Sequence, residues 1–241
     1  TFSLSPGPVV MATADTGSAS ENGSTTGNVL TNDSDPDGDT LTVSAVNGVA
    51  GNVGTAVTGT SGGSFTINAN GGYTFNSGTA FDDLALGETR TTTVTYTNSD
   101  SEGGTATTTL TVTVTGTNDG PVSTVIPDAS HTDSEVVNLN ISSYFSDPDT
   151  SDALTFSGTN LPPGLSLDLN TGLISGTLDA DASTGGPYSV TITATDPHGG
   201  TTVQTFSWVV TNVPPTAYDD FDGTTENSLV TGNVLANDVD P

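Results

Sequence analysis

An all-β chain of tandem sandwiches is the fold class this sequence predicts, and three observations predict it. Runs of Thr, Val, Ile and Leu with period two recur along the chain. Clusters of Asn, Asp, Gly and Pro separate them at short intervals, and no stretch carries helical periodicity. About seven short strands per ~100 residues is the density of a β-sandwich.

The elements follow in order. Thr40–Val46 alternates β-formers, and Ser64–Asn68 and Tyr73–Asn76 flank the turn Asn70-Gly71-Gly72, a hairpin signal. Arg90–Tyr96 and Thr105–Thr115 flank SDSEGG, a second hairpin. In the later strand Leu110, Val112 and Val114 face one way and the threonines the other, so one face is buried. The second half has the same alternation in different residues. Val136–Ile141, Leu165–Leu169 and Leu173–Ile174 read as short strands, and Tyr188–Ala194 and Thr201–Val210 flank DPHGG. Trp208, the single tryptophan, is expected to plug the second core. The joints TNDGP (117–121) and TNVPP (211–215) are proline-stiffened. The predicted domains are 1–118, 119–212 and a third piece, 213–241, with the sandwiches end to end.

That third piece repeats the start of the first. Residues 14–36 align without gaps on 219–241: Asp15 matches Asp220, Glu21 matches Glu226, and Asp33 and Asp35 match Asp238 and Asp240. A long-period repeat of this kind marks an array. A piece of ~29 residues cannot bury a core of its own, so the chain is expected to be a cut from a longer one.

Composition limits the function. The formal net charge is −27, with 28 acidic residues against one base, Arg90. Phosphate backbones and anionic membranes both demand Lys and Arg, so neither is an expected partner. No apolar run approaches the ~18 residues of a membrane helix. With no cysteine, neither disulfides nor thiolate metal sites can staple the fold. The two histidines, His131 and His198, belong to no metal-ligand spacing and read as surface polar residues. No nucleophile elbow, phosphate loop or zinc motif occurs, and aromatics amount to 6%. The chain is therefore not expected to be an enzyme.

The acids themselves are informative. Asp outnumbers Glu by 23 to 5, and the aspartates come in bunches beside Gly, Pro and Asn. NDSDPDGD (32–39) places Asp33, Asp35, Asp37 and Asp39 within one turn; SDPDTSD (146–152) repeats the device with Asp147, Asp149 and Asp152. Such bunching is costly without a cation and favourable with one. Asp is a short oxygen ligand, and Ca²⁺ takes six to eight oxygens at ~2.3–2.6 Å. An EF-hand is rejected, since its bidentate Glu position falls on Ser44 within a strand. In a sandwich, alternate loops gather at one pole. Asp35, Asp37 and Asp39 are expected to meet Asp100 there, and Asp147, Asp149 and Asp152 to meet Asp196, joined by Asn118 and Asp119 of the joint. The repeat adds Asp15, Glu21, Asp33, Asp220, Glu226, Asp238 and Asp240 as candidate metal ligands. Lone Asp168, in LDLNTG, is expected to be a turn-former only.

The series TNDGP, FSDPD and ATDPHGG resembles the linker, DxD and DxG elements of cadherin repeats, which chelate calcium between domains. Residues 10–118 are similar to VCBS-type bacterial cadherin-like repeats, and residues 121–212 to the dystroglycan-type cadherin-like domain. The cadherin DRE element is missing, with Asp82-Asp83 nearest to it. The resemblance implies Ig-like sandwiches, Ca²⁺ as cofactor, and an extracellular place on the bacterial surface within a large RTX-type adhesin. The expected function is a calcium-rigidified extender of a surface adhesin or filament. Its expected partners are neighbouring repeats of the same chain, other copies assembling into filaments, and surface glycan or protein ligands. The alternative is a polysaccharide- or protein-binding accessory module, with Tyr144, Phe145 and Tyr188 as candidate aromatics.

Overall fold

The computed structural model describes residues 9–221, 223, 225, 226 and 228–239. The chain forms two compact units: Thr1–Asp119 together with Pro148–Asp152, and Gly120–Asp147 together with Ala153–Pro241. Among the described residues regular structure is strand, apart from three short 3₁₀ turns.

The first unit contains β1 (Asp15–Ser20), β2 (Ser24–Asn28), β3 (Thr42–Val46), β4 (Ala56–Thr58), β5 (Ser64–Ile67), β6 (Gly72–Asn76), β7 (Thr89–Ser99) and β8 (Thr105–Thr115). One sheet runs β1-β8-β7-β3 and the other β2-β6-β5-β4. Strand β1 lies parallel to β8, with Asp15 opposite Leu110, and all the other pairings are antiparallel. Alternation explains the core: Val94 and Tyr96 of β7 and Leu110, Val112 and Val114 of β8 turn inward onto Phe65, Ile67, Tyr73, Phe75 and Phe81. Thr92 of β7 is also buried, its hydroxyl donating to the Gly62 carbonyl, while Thr97 and Thr107 on the opposite face join hydroxyls across the hairpin at 2.9 Å. Close packing over β1 and β2 requires glycine. A Cβ on Gly27 would lie 2.6 Å from Cε1 of Tyr73, and one on Gly17 would lie 2.8 Å from the Tyr73 hydroxyl.

The second unit contains β9 (Val122–Ser123), β10 (Ala129–Thr132), β11 (Val136–Asn140), β12 (Phe145–Ser146), β13 (Thr155–Thr159), β14 (Leu165–Leu167), β15 (Leu173–Thr177), β16 (Tyr188–Thr195) and β17 (Thr201–Thr211). Its sheets run β10-β17-β16-β13 and β11-β15-β14, with β9 and β12 paired separately. The first long-sheet strand is again parallel to the last, Ala129 standing opposite Trp208. Trp208 is fully buried among Val190, Ile192, Phe206, Ile174 and Ile141, so it is the expected core plug. His131 is no mere surface residue: its ring lies 5.3 Å from that of Trp208, because β10 places it over the indole.

The repeat seen in the sequence recurs in the hydrogen bonds. The Thr13 amide donates to Asp33 Oδ1 at 2.6 Å, and the Tyr218 amide donates to Asp238 Oδ1 at 2.8 Å. The Asn32 amide group donates to the carbonyls of Thr13 and Ala14, and that of Asn237 to those of Tyr218 and Asp219. Isolated bridges join Met11 to Ser34 and Thr216 to Val239. The apolar side chains that the repeat carries have no core around them: Phe221, Leu229 and Leu235 are exposed, whereas Val29 and Leu30 are inside or packed against the first core.

Candidate metal centre

Glu21 follows β1 directly, its amide bonded to the carbonyl of Thr115 at the end of β8 at 2.8 Å. The parallel pairing thus sets Glu21 beside the start of the connector. There the Thr117 hydroxyl donates to Glu21 Oε1 at 2.9 Å. Two residues on, the Asp119 amide donates to Asp149 Oδ2 at 3.0 Å. Carboxylate oxygens of Glu21, Asp119 and Asp149 all lie within 4.8 Å of one another. Glu21 and Asp149 are buried, at 3% and 0% exposure, and Asp119 is half-buried.

Three carboxylates this close repel. Burial pushes the Glu21 pKa up from its usual 4.5, and Asp119 and Asp149 push it further, while bonds from Thr117 pull it down. Glu21 Oε2 is buried and accepts no hydrogen bond. Such an oxygen is costly to bury unless something positive meets it. The donor set, all oxygen and triply anionic, suits a hard divalent cation, and calcium tolerates its irregular geometry better than magnesium.

The structure therefore brings together Glu21, Asp119 and Asp149, three of the sequence candidates. Of these, Glu21 came from the repeat alone. Asp33 is committed to the protein: Oδ1 accepts from the Thr13 amide, and Oδ2 accepts from the Tyr96 hydroxyl and the Asn98 amide group. Asp15 Oδ2 accepts from the same Tyr96 hydroxyl at 2.6 Å, and burial, then Asp33, raises its pKa. Asp35 Oδ1 closes its own turn on the Asp37 amide, leaving Oδ2 buried without a donor; Asp37 is exposed and Asp39 half-buried. Asp100 organises the β7–β8 turn by accepting from the amides of Glu102 and Gly104, with Oδ2 buried and lacking a donor. Asp196 does the same in the second unit, accepting from the amides of His198 and Gly200. Asn118, Asp147 and Asp152 are half-buried. Asp220 and Glu226 are exposed, and Asp238 holds the Tyr218 amide. Asp240 lies outside the described residues. Asp168 accepts from the amides of Asn170 and Thr171, as a turn-former does, and those bonds lower its pKa.

One residue was missed as a candidate from the sequence. Asp133 is the counterpart of Glu21 in the second unit: it follows β10 directly and its amide bonds to the Thr211 carbonyl at 3.1 Å. It is 3% exposed; Oδ1 accepts from the Ser183 amide, and Oδ2 has no donor. Asp82, which with Asp83 stands nearest to the missing DRE element, likewise keeps a buried Oδ1 without a donor. An acid placed directly after the first strand of the four-stranded sheet that holds the last hairpin was the available signal for Asp133.

Residues 6–116 match the family described as "Bacterial cadherin-like domain", and residues 120–211 match "Putative Ig domain". The two matches follow one another along the chain, the first cadherin-like and the second Ig-like. Solved structures agree on the fold. Human mucin-like protocadherin EC1-2 is 16% identical, with a TM-score of 0.56 over 84% of this chain and 98% of that one. Human CDH23 EC21-23 is 16% identical, with a TM-score of 0.59 over 89% and 73%. Human protocadherin-24 EC1-2 is 18% identical, with a TM-score of 0.54 over 87% and 100%. No curated protein matches the chain. Cadherin-like and Ig-like domains in tandem suggest an extracellular structural or adhesion module. Among the described residues no helix is long and apolar enough to cross a membrane.

Proposed function

We propose that this chain is a calcium-stiffened extender segment of a long bacterial surface adhesin. The observation that carries the reading is the Glu21–Asp119–Asp149 cluster, with a buried oxygen of Glu21 that no donor meets. Calcium would supply positive charge and six to eight coordination places, which these carboxylates fill in part. The three residues come from the end of the first strand, the connector, and the segment Pro148–Asp152. That segment is flanked in the chain by Asp147 and Ala153 of the second unit. An ion held there would fix Asp119 of the connector against Glu21 and Asp149. The −27 charge would keep neighbouring fibres apart.

The sugar-binding alternative gains nothing from the candidate aromatics. Phe145 is buried, and Tyr144 and Tyr188 are half-buried against the second core, where packing accounts for them.

Calorimetric titration of metal-stripped chain tests the reading. Calcium should bind and raise the melting temperature, by about 2.7 kcal/mol of stability at a hundredfold excess over Kd. Magnesium should do so poorly, because it dehydrates reluctantly and demands octahedral geometry. A flat titration and an unchanged melting temperature overturn it.

A further inference from the structure

The calcium reading leaves the single base of the chain unaccounted for. Arg90, in β7, donates Nη1 to Asp83 Oδ1 at 2.9 Å and Nη2 to Asp83 Oδ2 at 2.6 Å. Its guanidinium also stands 5.9 Å from the ring centre of buried Phe81. Both carboxylate oxygens of Asp83 are therefore taken, and the bidentate fork fixes the orientation of the residue as a single bond would not. The arginine holds the Asp83 pKa below the usual carboxylate range.

The backbone carbonyl of the same Asp83 accepts twice from Thr150, from its amide at 3.4 Å and its hydroxyl at 3.3 Å. Thr150 is the next residue after Asp149, whose Oδ2 accepts the Asp119 amide. An unbroken series of contacts thus runs from Arg90 through Asp83 and Thr150 to the acid cluster.

We propose that Arg90 is a positioning residue for the calcium site: by clamping Asp83 it fixes the carbonyl that anchors Thr150, and so fixes where Asp149 stands. This rests on the reading of Glu21, Asp119 and Asp149 as calcium ligands. Groups that orient metal ligands from outside commonly govern affinity by ten- to a hundredfold. The competing view, in which Arg90 is only a nearby positive charge, makes the opposite prediction. Removing a cation near a calcium site weakens repulsion and tightens binding, whereas removing a clamp loosens Asp149 and weakens binding.

The test is calorimetric calcium titration of the full 241-residue chain with Arg90→Met, Arg90→Lys and Thr150→Val. Arg90→Met should weaken calcium binding about tenfold or more. Arg90→Lys should restore little of the loss, since an ammonium has the charge without the fork. Thr150→Val should weaken binding in the same direction, and Arg90→Met added to it should cost less than the two alone, because both act through Asp83. In chelator, hydrogen exchange at the Thr150 amide should quicken in Arg90→Met while the β7–β8 amides stay protected. Calcium binding in folded Arg90→Met that is unchanged or tighter overturns the proposal, as does full rescue by lysine. If Arg90→Met fails to fold, exposed Thr150 carries the test, and unchanged affinity in Thr150→Val overturns it. Should the unaltered chain bind no calcium, the underlying reading falls first, and this proposal with it.

Discussion

The amide of Asp119 donates to Oδ2 of Asp149, a residue thirty positions further along the chain, at 3.0 Å. That bond places a connector residue and a loop residue in one cluster, where Glu21 adds a third carboxylate. Neither loop would hold such an arrangement alone, since like charges separate when free to move. The strands that deliver Glu21 and the connector are paired for their whole length, so the repulsion is carried by the sheet.

Neutralising a ligand should show this directly. Glu21→Gln and Asp149→Asn each remove one charge from the donor set and should weaken calcium binding about tenfold or more. Asp168→Ala should leave binding unchanged, because its carboxylate serves only its own turn. Equal losses from all three, measured by titration calorimetry, would mean bulk charge and no site.

Acidity should act in opposite senses with and without metal. The Glu21 pKa is raised in the folded chain, chiefly by burial. The folded state therefore binds that proton more tightly than the unfolded state does. In chelator this contribution is fully present below the ordinary carboxylate pKa and is lost as pH climbs through the raised value. Melting in chelator should accordingly fall across that window. In excess calcium the trend should reverse, because the ion needs the carboxylates deprotonated. Glu21→Gln should flatten the chelator profile; an unaltered profile in that variant would count against Glu21 as the source.

The hydroxyl of Tyr96 is near four acceptors: Asp15 Oδ2, Asp33 Oδ2 and the carbonyls of Thr13 and Val29, the last two at 3.2 and 3.1 Å. Burial, then the bond to Asp15, drives its pKa upward, so it remains a donor. Tyr96→Phe strips these acceptors of their shared proton and should cost about 1–3 kcal/mol of stability in denaturant unfolding. A loss near zero would mean that water replaces the hydroxyl freely.

Trp208→Ala should cost about 3–5 kcal/mol, since the indole is wholly buried in the second core. Calcium titration at Glu21, Asp119 and Asp149 should be unaffected wherever the second unit stays folded. Unfolding followed by Trp208 fluorescence in the parent, and by circular dichroism in the variant, checks both parts.

Much of the fold was legible in the sequence because period-two alternation is a local property. The strand expected at Thr105–Thr115 is β8 residue for residue, and Tyr188–Ala194 differs from β16 by one residue. The turn at Asn70-Gly71 was legible too, since Asn-Gly favours a tight hairpin and Gly71 takes a positive φ. The site was legible only in part. Asp119 and Asp149 stand in recognisable acidic motifs, but Asp133, alone after a four-residue strand, carries no local signal of its burial. Asp33 is indistinguishable in sequence from its neighbours in NDSDPDGD, yet three protein donors claim it.

Alone, then, the sequence determined that this chain is all-β, tandem, acidic and without thiols or a second base, because those follow from side-chain type and from alternation along the backbone. It also determined that acids bunch in turns. Which acids converge was decided only by tertiary structure. The parallel pairing of β1 with β8 sets Glu21 beside Thr117, and the Asp119–Asp149 bond brings positions 119 and 149 together. The physical reason is range. Alternation and turn chemistry act within a few residues, whereas a cation site sums carboxylates from distant strands, and only a packed sheet can hold those charges together.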